Sequence, residues 1–501
     1  MLISLVCVVL LMFAYTQLFS DVGGRIGDAR SMIELTNRMQ ATAQRLRSDL
    51  AGHTCNMLPW QDPAAGDGYF EIIEGPLSDQ NSGLANYSGS STYMLTDRSV
   101  TPNTTYPMGD TDDVLMFTVR SKDGPFTGLY NGNTVQSQVA EVVWFLRPTL
   151  MSDGQTIANP PTFTLYRRVF LVMPTYQGNA TSISPTTNGT LLIPALDFYT
   201  NNDISAHYDL AQGKFVANTL SDLTNRECRY GHAFINNAVL SNGFPHRVCP
   251  WYLVPFGGSL SNGNYSVDTS KSRYGQDVVL TNVVSFDVQM WDPTAPVYVQ
   301  GSSANQVSVA PSDPGFPYLP GTPVGARVPD SIGSFVDLNW HGDAWDGSAV
   351  SAPWNTVANT NLTMSPFYST GHPKSQLVAT TSTPTDFTKT WMFDTSPNPT
   401  SPQTSPPDYQ GNGYTPATFD VWTTHYEHDG LDQDKLLPPP LTDNTNGPDQ
   451  ALSGFQDFAN NTETSPPYPV PLRGVKITIR CYEPDSRQTH EMSIVESFVP
   501  E

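Results

Sequence analysis

Hydrophobic and polar positions fall into three successive patterns along the chain. Residues 1–19, MLISLVCVVLLMFAYTQLF, carry no charge and only Ser4, Thr16 and Gln17 as clearly polar members. About twenty helical residues cross a hydrocarbon core, so residues 1–20 predict the membrane-spanning half of a helix. From residue 21 to 52 the period is that of an amphipathic helix. Met32, Leu35, Met39, Ala43, Leu46 and Leu50 recur at steps of three or four and form one packing stripe, with Arg30, Arg38, Arg45, Arg47 and Asp49 largely off it. No proline precedes Pro59, and the Gly23-Gly24 pair predicts a kink or frayed turn between the halves.

Beyond Tyr69 the pattern becomes that of strands. DVLMFTVRS (113–121), QVAEVVWFLRP (138–148), FTLYRRVFLVMP (163–174) and DVVLTNVVSFDVQMWDP (277–293) are rich in Val, Phe, Tyr and Leu and are bounded by turn residues. Arg147, Arg167 and Arg168 read as outward, solvated strand positions or as partners of Glu141. A Pro-, Gly-, Ser- and Thr-rich stretch at 301–417 offers little regular ladder. Near the C-terminus Val475, Ile477, Ile479 and Cys481 alternate with Lys476, Thr478 and Arg480. EPDSRQ then supplies a turn and HEMSIVESFV a returning strand, which predicts a hairpin. The organisation expected is a β-rich head over 53–300, a loop-rich insertion over 301–417 and a C-terminal β region over 418–501. The fold class expected is α+β: a long N-terminal helix, its first half membrane-spanning, packed on an antiparallel β-rich head with long insertions.

Composition narrows the function more than the fold. A formal net charge of −22 disfavours nucleic acid and other polyanions as partners. Of five cysteines, Cys7 lies in the apolar opening, and no pair has CxxC spacing, so a zinc site is unsupported. Cys228–Cys249 and Cys55–Cys481 are the favoured disulfide candidates in an oxidising compartment, four buried thiols being the alternative.

The opening run, followed by RMQATAQRLRSDLAG, resembles the N-terminal helix of type IV pilins and type II secretion pseudopilins, especially minor pseudopilins of the J type. Large planctomycete-type pseudopilin-like proteins are similar to the chain around YEPDSRQT and WTTHYEHDG. In that family a basic leader ending in Gly precedes Phe-Thr-Leu-x-Glu. Those residues are absent before MLISLVCVVLL, so the resemblance implies a start upstream of Met1 or, alternatively, a degenerate member that cannot be processed. The Arg residues after the apolar run would place the C-terminal side in the cytoplasm by the positive-inside rule, whereas the resemblance implies an exported head.

Candidate chemistry is sparse. Glu427, Asp429, Asp432 and Asp434 gather carboxylates that calcium would favour, without EF-hand spacing; a solvated acidic loop is the plainer reading. His425 and His428 flank Glu427, but a strand would send them to opposite faces. His341, Asp343 and Asp346 gather around Trp340 and Trp345 in what reads as an aromatic turn or a sugar-stacking loop. GxSxG, HExxH, GxGxxG and P-loop motifs are missing.

The resemblance implies a non-enzymatic minor pseudopilin-like subunit of a secretion or pilus-like filament, with no cofactor except the weak calcium candidate. Expected partners are other pseudopilins through the N-terminal helix, a secretion assembly platform and secreted cargo. The expected place is the bacterial inner membrane, single-pass, with the head in the periplasm or outside. The alternatives are a membrane-anchored binding module for carbohydrate or an envelope partner, and a secreted hydrolase.

Overall fold

One helix, α1 (Leu2–Ala51), runs from the apolar opening through the amphipathic stripe and continues across Gly23-Gly24, where a kink was expected. The structure, a computed structural model, describes residues 2–57, 65–74, 94–97, 104–107, 109–111, 113–149, 162–173, 198–199, 201–209, 214–224, 228–230, 259–261, 264–266, 273, 275–300, 306–311, 313, 329–338, 417–421, 471–484 and 486–499. Apart from α1, the described helical structure is short turns such as the 3-10 turn Asp222–Thr224.

The strands, in chain order, begin with β1 (Phe70–Glu74), β2 (Met94–Asp97), β3 (Thr104–Pro107), β4 (Val114–Arg120), β5 (Phe126–Tyr130) and β6 (Asn133–Ser137). Then come β7 (Val139–Pro148), β8 (Phe163–Leu171), β9 (Ala206–Asp209), β10 (Lys214–Ala217), β11 (Ser259–Ser261) and β12 (Asn264–Ser266). The last are β13 (Val278–Gln300), β14 (Val307–Val309), β15 (Ser331–Val336), β16 (Ala417–Asp420), β17 (Gly474–Glu483) and β18 (Gln488–Ser497). Ten of them form one antiparallel sheet in the order β16-β1-β4-β7-β8-β13-β17-β18, with β14 and β15 added along β13. Strands drawn from 53–300 and from 418–501 therefore share a single sheet, β14 and β15 join it from the loop-rich region, and β16 straddles the boundary at 417.

The central strands explain themselves. In β4, VLMFTVR, every residue but Arg120 is buried. Such a near-continuous apolar run suits a strand covered on both faces. The C-terminal hairpin has unbroken register from Gly474↔Ser497 to Glu483↔Gln488, and Arg487 in its turn takes a φ of 54°. β13 runs beyond the expected end at Pro293 because the register shifts between Asp292 and Pro296. There the Asp292 carboxylate accepts bonds from the Thr294 N–H and hydroxyl, both 2.7 Å, where prolines supply no donor.

One face of the sheet meets the C-terminal part of α1, whose Leu35, Met39, Ala43, Leu46 and Leu50 are buried in the main core, with Met32 half-buried. The opposite face is covered by the described residues between 198 and 230, with Tyr199 and Tyr230 packed edge-on or tilted against Phe170 of β8.

Two expectations are corrected. The α+β class, with a pilin-like membrane-spanning helix set on a head, gives way to a fold organised by antiparallel sheet. Among the described residues, no helix is long and apolar enough to cross a membrane. The apolar run stops at Phe19, and Ser20, Asp21, Gly23, Gly24 and Arg25 follow within the same helix, so apolarity is not sustained along it. Cys55 and Cys481 do not pair; both are free, buried thiols. The Met57 carbonyl accepts from the Leu472 N–H at 3.2 Å, which puts Cys55 near the start of β17. Cys481 lies nine residues further, about 30 Å at strand rise, and a disulfide requires Cα atoms within about 7 Å. Burial pushes the Cys481 thiol up to about 12 and raises that of Cys55 as well. Cys228 is buried, while Cys249 lies outside the described residues.

Candidate interaction surface

α1 divides into a half that the sheet holds and a half that it does not. The held half is fixed at its end by a charged clamp. Asp49 is almost fully buried, and its carboxylate accepts from Arg167 Nε and Nη2, both 2.6 Å, and from Trp144 Nε1 at 3.0 Å. Trp144 and Arg167 are register partners on β7 and β8, so they point from the same face toward the helix. The two parallel N–H···O bonds give the contact a fixed orientation. One turn on, the Arg120 N–H donates to the Gly52 carbonyl at 2.7 Å. A Cβ on Gly52 would lie 2.8 Å from the Arg120 carbonyl oxygen, so glycine is what lets the chain pass so close to β4.

The other half is bare. Val8, Val9, Leu10, Leu11, Met12 and Phe13 are each more than half exposed. Six consecutive residues span more than one and a half turns, so apolar side chains point in every direction around the helix axis. A helix apolar on all sides belongs inside a protein core or a lipid phase. Each Leu, Val or Phe taken out of water contributes about 1.5–3 kcal/mol, so covering this rod would be strongly favourable.

Behind the opposite face of the sheet lies a buried polar network that positions no open site. Glu141 accepts from Tyr69 Oη (2.6 Å), Ser205 Oγ (2.7 Å) and the Tyr230 N–H (2.8 Å). Burial raises its carboxyl above the ordinary range, and the three donors only partly oppose this. Burial, then the Glu141 charge, likewise pushes the Tyr69 phenol well up. Arg229 donates to Glu71 at 2.8 Å and Asp420 at 2.6 Å, and its guanidinium lies 4.1 Å over the Tyr69 ring. Arg168 reaches Asp277 at 2.9 Å, Asp203 at 3.2 Å and the Tyr199 carbonyl at 2.5 Å. Arg167, nearly buried, and Arg168, fully buried, are therefore ties to opposite faces, where solvated positions were expected, and Glu141 is held instead by Tyr69, Ser205 and Tyr230. The network ties Tyr199, Asp203, Ser205, Arg229 and Tyr230 and, through Asp420, β16 to the sheet.

The calcium candidates Glu427, Asp429, Asp432 and Asp434 lie outside the described residues, as do His425, His428, His341, Asp343, Asp346, Trp340 and Trp345. Among the described residues no group of three or more His, Cys, Asp or Glu is placed to hold a metal ion. Sequence reasoning missed the Asp49 clamp, although a signal was present: Asp49 follows Leu46 by three residues and adjoins Leu50, on the stripe side of the helix. No family model, curated protein or solved structure matches the chain.

Proposed function

We propose that this protein is a non-enzymatic assembly subunit, working in a pseudopilin-like filament of a secretion or pilus-like apparatus and joined to its neighbours through the apolar half of α1. The observation that carries the reading is the contrast along one helix. The stripe of Leu35, Met39, Ala43, Leu46 and Leu50 is sunk in the core and clamped through Asp49, while residues 8–13 are apolar on every side and exposed. Anchored helices of this kind lose their apolar exposure by packing against like helices, where van der Waals contact drives association. Residence at the bacterial inner membrane with the sheet body outside, and contact with an assembly platform and secreted cargo, belong to the same proposal.

The test is sedimentation velocity of the full chain in a mild detergent, with and without Val9→Gln, Leu10→Gln and Phe13→Gln together. The native chain forms concentration-dependent oligomers. Losing three apolar contacts of about 1.5 kcal/mol or more each weakens association at least about a thousandfold. Oligomers of unchanged strength in the triple variant would defeat the reading.

A further inference from the structure

β18 forms one edge of the ten-stranded sheet, and the two edges differ. β16, at the other end, has only four residues. β18 has ten, paired without a break to β17 on its inner side. Among the described residues no strand pairs with its outer side. Long edges are ordinarily blunted by proline, lysine, a bulge or brevity. The β18 sequence QTHEMSIVES has no proline or lysine, its register with β17 has no bulge, and Val495 on it is more than half exposed, although Glu491 and Glu496 are charged and α1 packs against the strand.

What such an edge accepts is another strand, and its own sequence indicates which. We infer that β18 pairs antiparallel with β18 of a second copy of this chain, about a two-fold axis at Ser493. In that register Met492 faces Ile494, His490 faces Glu496, Glu491 faces Val495 and Thr489 faces Ser497, each pair occurring twice. Nearly the whole strand is used. No carboxylate meets another carboxylate, and each Glu496 meets an imidazole, as cross-strand pairing requires. Moving the axis one residue toward the N-terminus sets Glu491 against Ser493 and leaves His490 against Ile494. Moving it one residue toward the C-terminus sets Met492 against Glu496. Only the Ser493 register sets a carboxylate, Glu496, against the imidazole of His490. The contact is isologous and closes at two copies, so it stands apart from any head-to-tail packing of α1 and does not rest on the proposed function.

The two-fold gives a test by position. Ser493 lies opposite itself, with Cβ atoms about 5 Å apart, whereas Thr489 and its copy are eight residues apart, about 27 Å. Ser493→Cys and Thr489→Cys are made separately in the full chain carrying Cys7→Ser, and each is mildly oxidised. Ser493→Cys is expected to give at least about tenfold more disulfide-linked dimer than Thr489→Cys. Adding Glu496→Lys to Ser493→Cys lowers that yield by setting Lys against His490, and adding His490→Glu as well restores it. Equal linking at 489 and 493, no linking at 493, or indifference to the charge swap would each overturn the inference. Because α1 is unaltered in all these variants apart from Cys7→Ser, failure here leaves the α1 reading standing, and the reverse also holds.

Discussion

Replacing Asp49 with alanine isolates the contact that decides where α1 goes. The substitution removes the acceptor of three hydrogen bonds, two from Arg167 and one from Trp144. It leaves the Arg167 guanidinium nearly buried, its side chain only 9% exposed, with its carboxylate gone. Removing one partner of a buried pair costs about 3–5 kcal/mol, most of it from the stranded charge. Replacing Arg167 with methionine as well removes that charge and keeps the volume, so the double variant Asp49→Ala/Arg167→Met recovers a large part of the loss. The assay is urea unfolding of the full chain in mild detergent, followed by tryptophan fluorescence. A loss under about 1 kcal/mol in Asp49→Ala, or a double variant no more stable than the single, would refute the clamp as the helix's anchor.

Arg229→Met withdraws the cation shared by Glu71 and Asp420, and a loss of about 3–5 kcal/mol in the same unfolding assay is expected, with faster proteolysis near residues 417–421. Glu141 carries a pH dependence whose sign follows from burial: its native carboxyl binds a proton more tightly than the unfolded one. Its contribution is therefore full below the ordinary carboxyl value and is lost as pH rises through the raised native value. Glu141→Gln flattens that part of the curve of urea midpoint against pH. At Gly68, φ is +76° and a Cβ would fall 2.1 Å from Thr118 Oγ1. Gly68→Ala is expected to lower stability by about 1–3 kcal/mol, read from the same midpoint, and Gly124→Ala, with open space around it, by less.

Local patterns in the sequence were legible where a single period governed them. The apolar stripe from Met32 to Leu50, the strand runs of β4, β7 and β8 and the terminal hairpin each repeat a period that one face imposes, and each is visible without knowing what it packs against. The end of β13 was not legible, because Pro293 and Pro296 argue against strand and the Asp292 cap that carries the chain past them is a local side-chain bond. Nor were the roles of Arg167 and Arg168 visible. Adjacent residues on a strand point to opposite faces, and reading both as solvated presumed faces without cover. Their carboxylate partners lie 118 residues away for Asp49, and 35 and 109 away for Asp203 and Asp277. Long-range partners of that kind leave no periodic trace. The Cys55–Cys481 pairing failed for a related reason: Cys55 follows the helix and Cys481 lies near the end of β17, and the sequence does not say how far apart the fold holds them.

Reactivity of single cysteines along α1 tests the central claim, that one half of the helix is held by the sheet and the other is covered by assembly. Met12→Cys and Gln40→Cys, each in a Cys7→Ser background, are exposed in intact cells to a charged maleimide after the outer envelope is made permeable. Position 40 is exposed on the held half, and it reacts. Position 12, exposed in the isolated chain, is protected in the assembled state and reacts only after the detergent that disperses the oligomers is added. Equal, rapid labelling at both positions in cells would contradict the account.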